Sequence, residues 1–142
     1  MAHGLLLAGP AGIGKRTAAR GLAEQLGAKF PDYIEIDGSA GIKIEQIREL
    51  IYKLSLKPYA SKYKVAVIDA AEEMTLEEAN ALLKSLEEPK SYTVIILVAA
   101  NPSKLTPTIL SRVQKINFGL VPFAQYEHLL PADLSAERKQ LI

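Results

Sequence analysis

Short apolar runs alternate with longer stretches of helical periodicity along this chain. Residues 5–8, Leu-Leu-Leu-Ala, form a brief run closed by Gly9-Pro10, the pattern of a buried strand. Residues 15–26 place Ala18, Leu22 and Leu26 at spacings of four, which predicts a helix, and Gly27 supplies its stop. A second strand is expected over 33–37, then a helix over 43–54 whose stripe is Ile44, Ile47, Ile51 and Leu54. The β-branched run 64–69 predicts a third strand that ends on the carboxylate of Asp69. Thr75, with Glu78 three residues on, makes a capping box for a helix through Leu86, and Pro89 follows its end. Residues 93–100 are the longest apolar run, so that strand should be central and covered on both faces. Residues 114–118 read as a fifth strand.

Repeated strand–helix alternation calls for an α/β fold, a mainly parallel sheet with helices on both faces. Right-handed crossovers then bring every strand's C-terminal end to one edge, where such folds bind ligands. The stretch after residue 119 holds Pro122, Pro131 and two short helical candidates, too little for a second domain. The expected organisation is one α/β domain over 1–121 and a short helical tail over 122–142.

Composition narrows the chemistry. The chain has 142 residues, 49% hydrophobic and 23% charged, with 17 basic against 16 acidic side chains. A net charge of +1 excludes a globally basic nucleic-acid binder, so any phosphate contact must come from a local patch or from backbone N–H groups. No cysteine is present, which removes disulfides, thiolate metal sites and cysteine nucleophiles, and His3 and His128 are too far apart in sequence to suggest a metal cage. No apolar run approaches the roughly 18 residues that a membrane helix needs. The start lacks the basic region of a secretory signal, so a cytoplasmic location is expected.

The first strand-to-helix junction carries the chemistry. Gly9-Pro10-Ala11-Gly12-Ile13-Gly14-Lys15 satisfies the GxxxxGK part of a phosphate-binding loop. Glycines let successive backbone N–H groups curl around an anion, the helix N-terminus adds its dipole, and Lys15 adds a point charge. The motif then wants Ser or Thr, whose hydroxyl ligates Mg²⁺. Here that position is Arg16, which has no acceptor atom. Thr17 lies roughly 100° further around the helix and is expected to meet an inner phosphate rather than a metal. Asp69, at the sheet edge facing the loop, is a candidate to hold Mg²⁺ through water or simply to cap the next turn. An acid directly after it would polarise an attacking water, and that position is Ala70, with Glu72 the nearest glutamate.

Four stretches together resemble a known family. They are residues 9–17, residues 64–74, Asn80-Ala-Leu-Leu-Lys-Ser-Leu-Glu-Glu-Pro89, and residues 101–112 ending in Ser111-Arg112. They are similar to bacterial clamp-loader subunits of the AAA+ class, most like the delta-prime subunits of DNA polymerase III. The resemblance implies a RecA-like, three-layer P-loop domain of five strands, with the family's lid, collar and four-cysteine zinc module absent. It implies a nucleotide site at a subunit junction, with Gly9, Pro10, Gly12, Gly14, Lys15, Arg16, Thr17, Asp69 and Asn101 near ATP or ADP. The family's first sensor falls at Ala100, with Asn101 the adjacent polar residue. Ser111-Arg112-Val113 matches the first two positions of the family's Ser-Arg-Cys motif, which makes Arg112 the candidate arginine finger acting on a neighbour's ATP; its alternative is a pair with a local carboxylate. Lys43 and Arg48 fall in the segment that meets duplex backbone in the family, or else form an ordinary solvated helix face with Lys53 and Lys57.

The implied function is a replication module with a degenerate nucleotide site, holding ATP or ADP weakly or not at all, with Mg²⁺ possible and no zinc. Its partners would be gamma/tau and delta subunits, primer–template DNA and, indirectly, the sliding clamp, with no membrane. The rival expectation is an active ATPase like gamma/tau, and a weaker one is a small-molecule kinase using the same loop.

Overall fold

A computed structural model describes residues 3–10 and 14–117 of the chain. Among the described residues five strands form one sheet: β1 (Gly4–Ala8), β2 (Tyr33–Asp37), β3 (Lys64–Asp69), β4 (Thr93–Ala99) and β5 (Gln114–Asn117). Their order is β2-β3-β4-β1-β5 and every pairing is parallel. The long apolar strand β4 is central, as its composition requires, and all seven of its residues are buried.

Four helices join the strands: α1 (Lys15–Gln25), α2 (Ile44–Ser55), α3 (Leu76–Glu87) and the short α4 (Pro107–Leu110). Because side chains alternate along a strand, the sheet serves two separate cores. Leu5, Leu7, Val65, Val67, Val94, Ile96 and Val98 meet Ala19, Leu22 and Ala23 of α1 on one face. Leu6, Ile68, Ile95 and Leu97 meet Ile47, Leu50 and Leu54 of α2 and Leu82 and Leu86 of α3 on the other.

The expected stops and starts are made by local chemistry. Gly27 sits at φ 75, and the N–H groups of Gly27 and Ala28 return to the carbonyls of Glu24 and Ala23, closing α1 with a left-handed cap. At α3, Glu78 N donates to Thr75 Oγ1 at 3.2 Å while Thr75 N donates to Glu78 Oε1 at 2.9 Å. Two expectations shift. On α2, Leu50 is buried and Ile44 and Ile51 are only partly so, because the helix turns its apolar stripe toward α3 as well as the sheet. The helix α4 was not anticipated, although Thr106-Pro107 is a readable start: Thr106 Oγ1 accepts from Ile109 N and proline takes the first turn. Gly12, the last residue of the expected fifth strand and the tail over 122–142 lie outside the described residues.

Candidate nucleotide site

The site gathers at the C-terminal edge of the sheet, where β1 leads into α1 and where β3 and β4 end. Gly9 N donates to Ala99 O at 3.3 Å, tying the start of the loop to the end of β4. Gly14 precedes α1 at φ 83, a left-handed conformation that glycine takes without penalty. An open cavity of about 320 Å³ is lined by Gly14, Lys15, Arg16, Thr17, Asp69, Ala70, Glu72, Val98 and Ala100. Five of the residues expected near a nucleotide thus converge here: Gly14, Lys15, Arg16, Thr17 and Asp69.

Lys15 is buried, and its ammonium donates to the Pro10 carbonyl at 2.5 Å. The lysine therefore bridges the two ends of its own loop. Arg16 reaches across to β2 and β3. Its Nε donates to Glu35 Oε1 at 3.0 Å, and its Nη1 lies 3.5 Å from both Asp37 Oδ2 and Asp69 Oδ2. Arg20, one turn along α1, adds a two-pronged contact to Glu35, with Nε–Oε1 at 3.0 Å and Nη2–Oε2 at 3.1 Å. Burial works to raise the Glu35 carboxyl, but the bonds from Arg20 and Arg16 outweigh it and hold the group below its ordinary value. Asp37 is held low as well, chiefly by the backbone N–H and hydroxyl of Ser39. Close backbone approach positions this acidic edge: Gly38 N donates to Asp69 O at 2.9 Å, and a Cβ on Gly38 would stand 2.5 Å from that oxygen.

Glu72 reaches the cavity although it stands three residues beyond Asp69. Ala70 adopts φ 53 and opens a tight turn over Ala71–Glu73, which swings the Glu72 side chain back to the end of β4. Its Oε2 accepts from Ala100 N at 2.9 Å and Asn101 N at 2.8 Å, while its Oε1 is buried without a hydrogen-bond partner at the cavity wall. Only the left-handed Ala70 betrays this, and no sequence signal announces it. Asn101 turns its side-chain oxygen to Ser103 Oγ at 2.6 Å, and Ala100 rather than Asn101 lines the cavity.

The remaining candidates lie elsewhere. Arg112 follows α4, about half exposed, with Nη2 at 3.6 Å from Glu87 Oε1, so it has a loose local carboxylate and a free face. Lys43 precedes α2 and is exposed, and Arg48 Nη2 lies 3.4 Å from Glu77 Oε1 on α3, both side chains well exposed.

The donor set does not suit magnesium. That ion needs oxygen ligands in near-octahedral array at about 2.0–2.1 Å. The hydroxyl position holds a guanidinium without acceptors, and the Asp69 carboxylate already faces that guanidinium. No group of three or more His, Cys, Asp or Glu side chains suited to a metal occurs among the described residues. None of the described helices is long and apolar enough to cross a membrane.

A parallel sheet in the order β2-β3-β4-β1-β5, with a glycine–lysine loop between its β1 and α1, defines a RecA-like α/β domain of the P-loop AAA+ type. Over residues 27–121 the chain matches the family described as DNA polymerase III, delta subunit. It is 37% identical over 135 residues to DNA polymerase III subunit delta' of Pseudomonas aeruginosa, covering 78% of this chain and 41% of that protein. It is 31% identical over 156 residues to the tau subunit of Escherichia coli, covering 95% of this chain and 24% of that protein. Among solved structures, a DNA polymerase III gamma subunit-related protein of Thermotoga maritima superposes with a TM-score of 0.70 at 32% identity, covering 90% of this chain and 45% of that one. The RuvB Holliday junction branch migration motor of the same organism shares the fold, with a TM-score of 0.59 at 23% identity. The chain belongs to the DNA polymerase III clamp-loader subunit family, and it spans less than half the length of each of these relatives.

Proposed function

We propose that this chain is a non-motor module of a DNA polymerase III clamp loader, acting in the cytoplasm, with a AAA+ domain over 1–121 and a short helical tail over 122–142. One observation carries the reading: a permanent cation, Arg16, faces Asp69 where a motor would use a hydroxyl and a metal. Ala70 follows Asp69 where a motor would carry an acid. ATP or ADP, held weakly or not at all, would then meet the loop through Gly9, Gly14, Lys15 and Thr17 without rapid hydrolysis. Arg112 serves a neighbouring gamma/tau subunit as a finger; a planar, always-charged fork suits charge that develops on a transferring phosphoryl group. Its half-exposed guanidinium and loose 3.6 Å partner leave it able to leave Glu87 at little cost. Lys43 and Arg48 add salt-sensitive, sequence-independent contacts to primer–template backbone.

A second reading, an active ATPase like gamma/tau, is favoured by Glu72, whose unpartnered Oε1 at the cavity wall is suited to orient a water. Steady-state ATP hydrolysis separates the two. The first expects no turnover from the pure chain; turnover that Lys15→Ala abolishes overturns it. In a reconstituted loader, Arg112→Ala is expected to lower ATP turnover by about a hundredfold or more while this chain's own nucleotide affinity stays unchanged. Unaltered turnover in that assembly refutes the finger.

A further inference from the structure

We infer that Arg16 takes the place of magnesium in this site, so that the loop binds a nucleotide's phosphates better without the metal than with it. The inference deepens the reading of residues 9–17 as a phosphate loop and rests on it.

The charged groups around the cavity define the case. Lys15 and Arg16 come from α1, Asp69 from β3, and Glu72 from the turn after it. Arg16 is held there by three carboxylates from two strands, with one bond at 3.0 Å and two contacts at 3.5 Å. A guanidinium so fixed places a permanent positive charge beside Asp69, with Nε and Nη1 turned to carboxylates and Nη2 left to donate to a phosphoryl oxygen. It cannot ligate a metal. Admitting Mg²⁺ beside Asp69 makes the metal compete with Arg16 for that carboxylate, or forces Arg16 off Glu35, Asp37 and Asp69 together. Glu35 would survive that loss through Arg20, whereas the freed guanidinium would still share the cavity with the metal. Chelation by Mg²⁺ also removes negative charge from the nucleotide, which weakens its attraction to Lys15 and Arg16.

Calorimetric titration of the full chain with ATP, in EDTA and then in excess Mg²⁺, tests this. The dissociation constant is expected to rise about two- to fivefold with the metal, the scale of one half-exposed ion pair. Arg16→Thr restores a hydroxyl after the lysine and is expected to reverse the sign, so that Mg²⁺ tightens binding. Arg16→Lys keeps the charge and is expected to keep the wild-type sign, a result that a merely structural role for Arg16 does not produce; failure of Arg16→Lys to do so, in a folded protein, counts against the inference. Mg²⁺ tightening ATP binding in the wild type overturns the inference, as does absence of binding under both conditions. Lys15→Ala is expected to abolish binding; undiminished binding in that variant sinks the phosphate-loop reading itself, whereas metal-tightened binding that still needs Lys15 sinks only the role given to Arg16.

Discussion

Asp32 shows how much a single side chain can hold without touching the site. It is fully buried, and its carboxylate accepts three backbone N–H bonds: from Tyr59 at 2.6 Å, and from Ala60 and Ser61 at 2.7 Å each. It thereby clamps the loop after α2 to the entrance of β2. Burial works to raise its carboxyl, and the three N–H donors outweigh it, leaving the group below its ordinary value. A carboxyl lowered by folding stabilises the folded state above the unfolded value, about 3.9, and that contribution is lost as pH falls through the folded value. Asp32→Asn is expected to cost about 2–4 kcal/mol in urea unfolding at neutral pH and to flatten the stability loss below about pH 4. An unchanged acid limb in the variant would remove Asp32 from this account. Lys64 is a smaller case of the same kind: buried in β3, it donates to the Lys53 carbonyl at 2.7 Å and so satisfies the end of α2. Neither residue stood out in the sequence, because an aspartate before a strand and a lysine opening one are ordinary surface choices until the fold encloses them.

Elements whose ends are set by neighbours in sequence were legible. The Thr75/Glu78 box, the Gly27 stop, the boundaries of β2 and β3 and the start of β4, which ends one residue short of the expected 100, follow from contacts three to five residues apart, or from alternation within one strand. Thr75→Ala should therefore destabilise by about 1 kcal/mol in thermal or urea unfolding, with the fold intact; no loss would mean that tertiary packing alone defines the start of α3. Less legible were elements set by what packs on them. The stripe of α2 runs through Leu50 because two surfaces, the sheet and α3, compete for the same helix. The turn over Ala71–Glu73, which aims Glu72, depends on a left-handed alanine that no residue preference predicts.

The two cores on opposite faces of one sheet govern the molecule's tolerance to change. Ile96 of β4 is fully buried on the α1 face, and Leu76, the first residue of α3, is 66% exposed. Ile96→Ala is expected to cost about 2–5 kcal/mol and Leu76→Ala to stay within about 0.5 kcal/mol in urea unfolding. Similar losses at both would contradict the layered core. This layering also divides what could be read in advance from what could not. The sequence by itself determined the α/β alternation, a central β4 and a GxxxxGK stretch followed by arginine rather than a hydroxyl residue, since periodicity, caps and motif spacing act over a few residues. Only the tertiary structure decided that Arg16 meets Glu35, Asp37 and Asp69, that Glu72 returns to the end of β4, and that the Asn101 side chain accepts from Ser103. Those contacts join segments far apart along the chain, and parallel pairing with side-chain alternation sets which of them become neighbours.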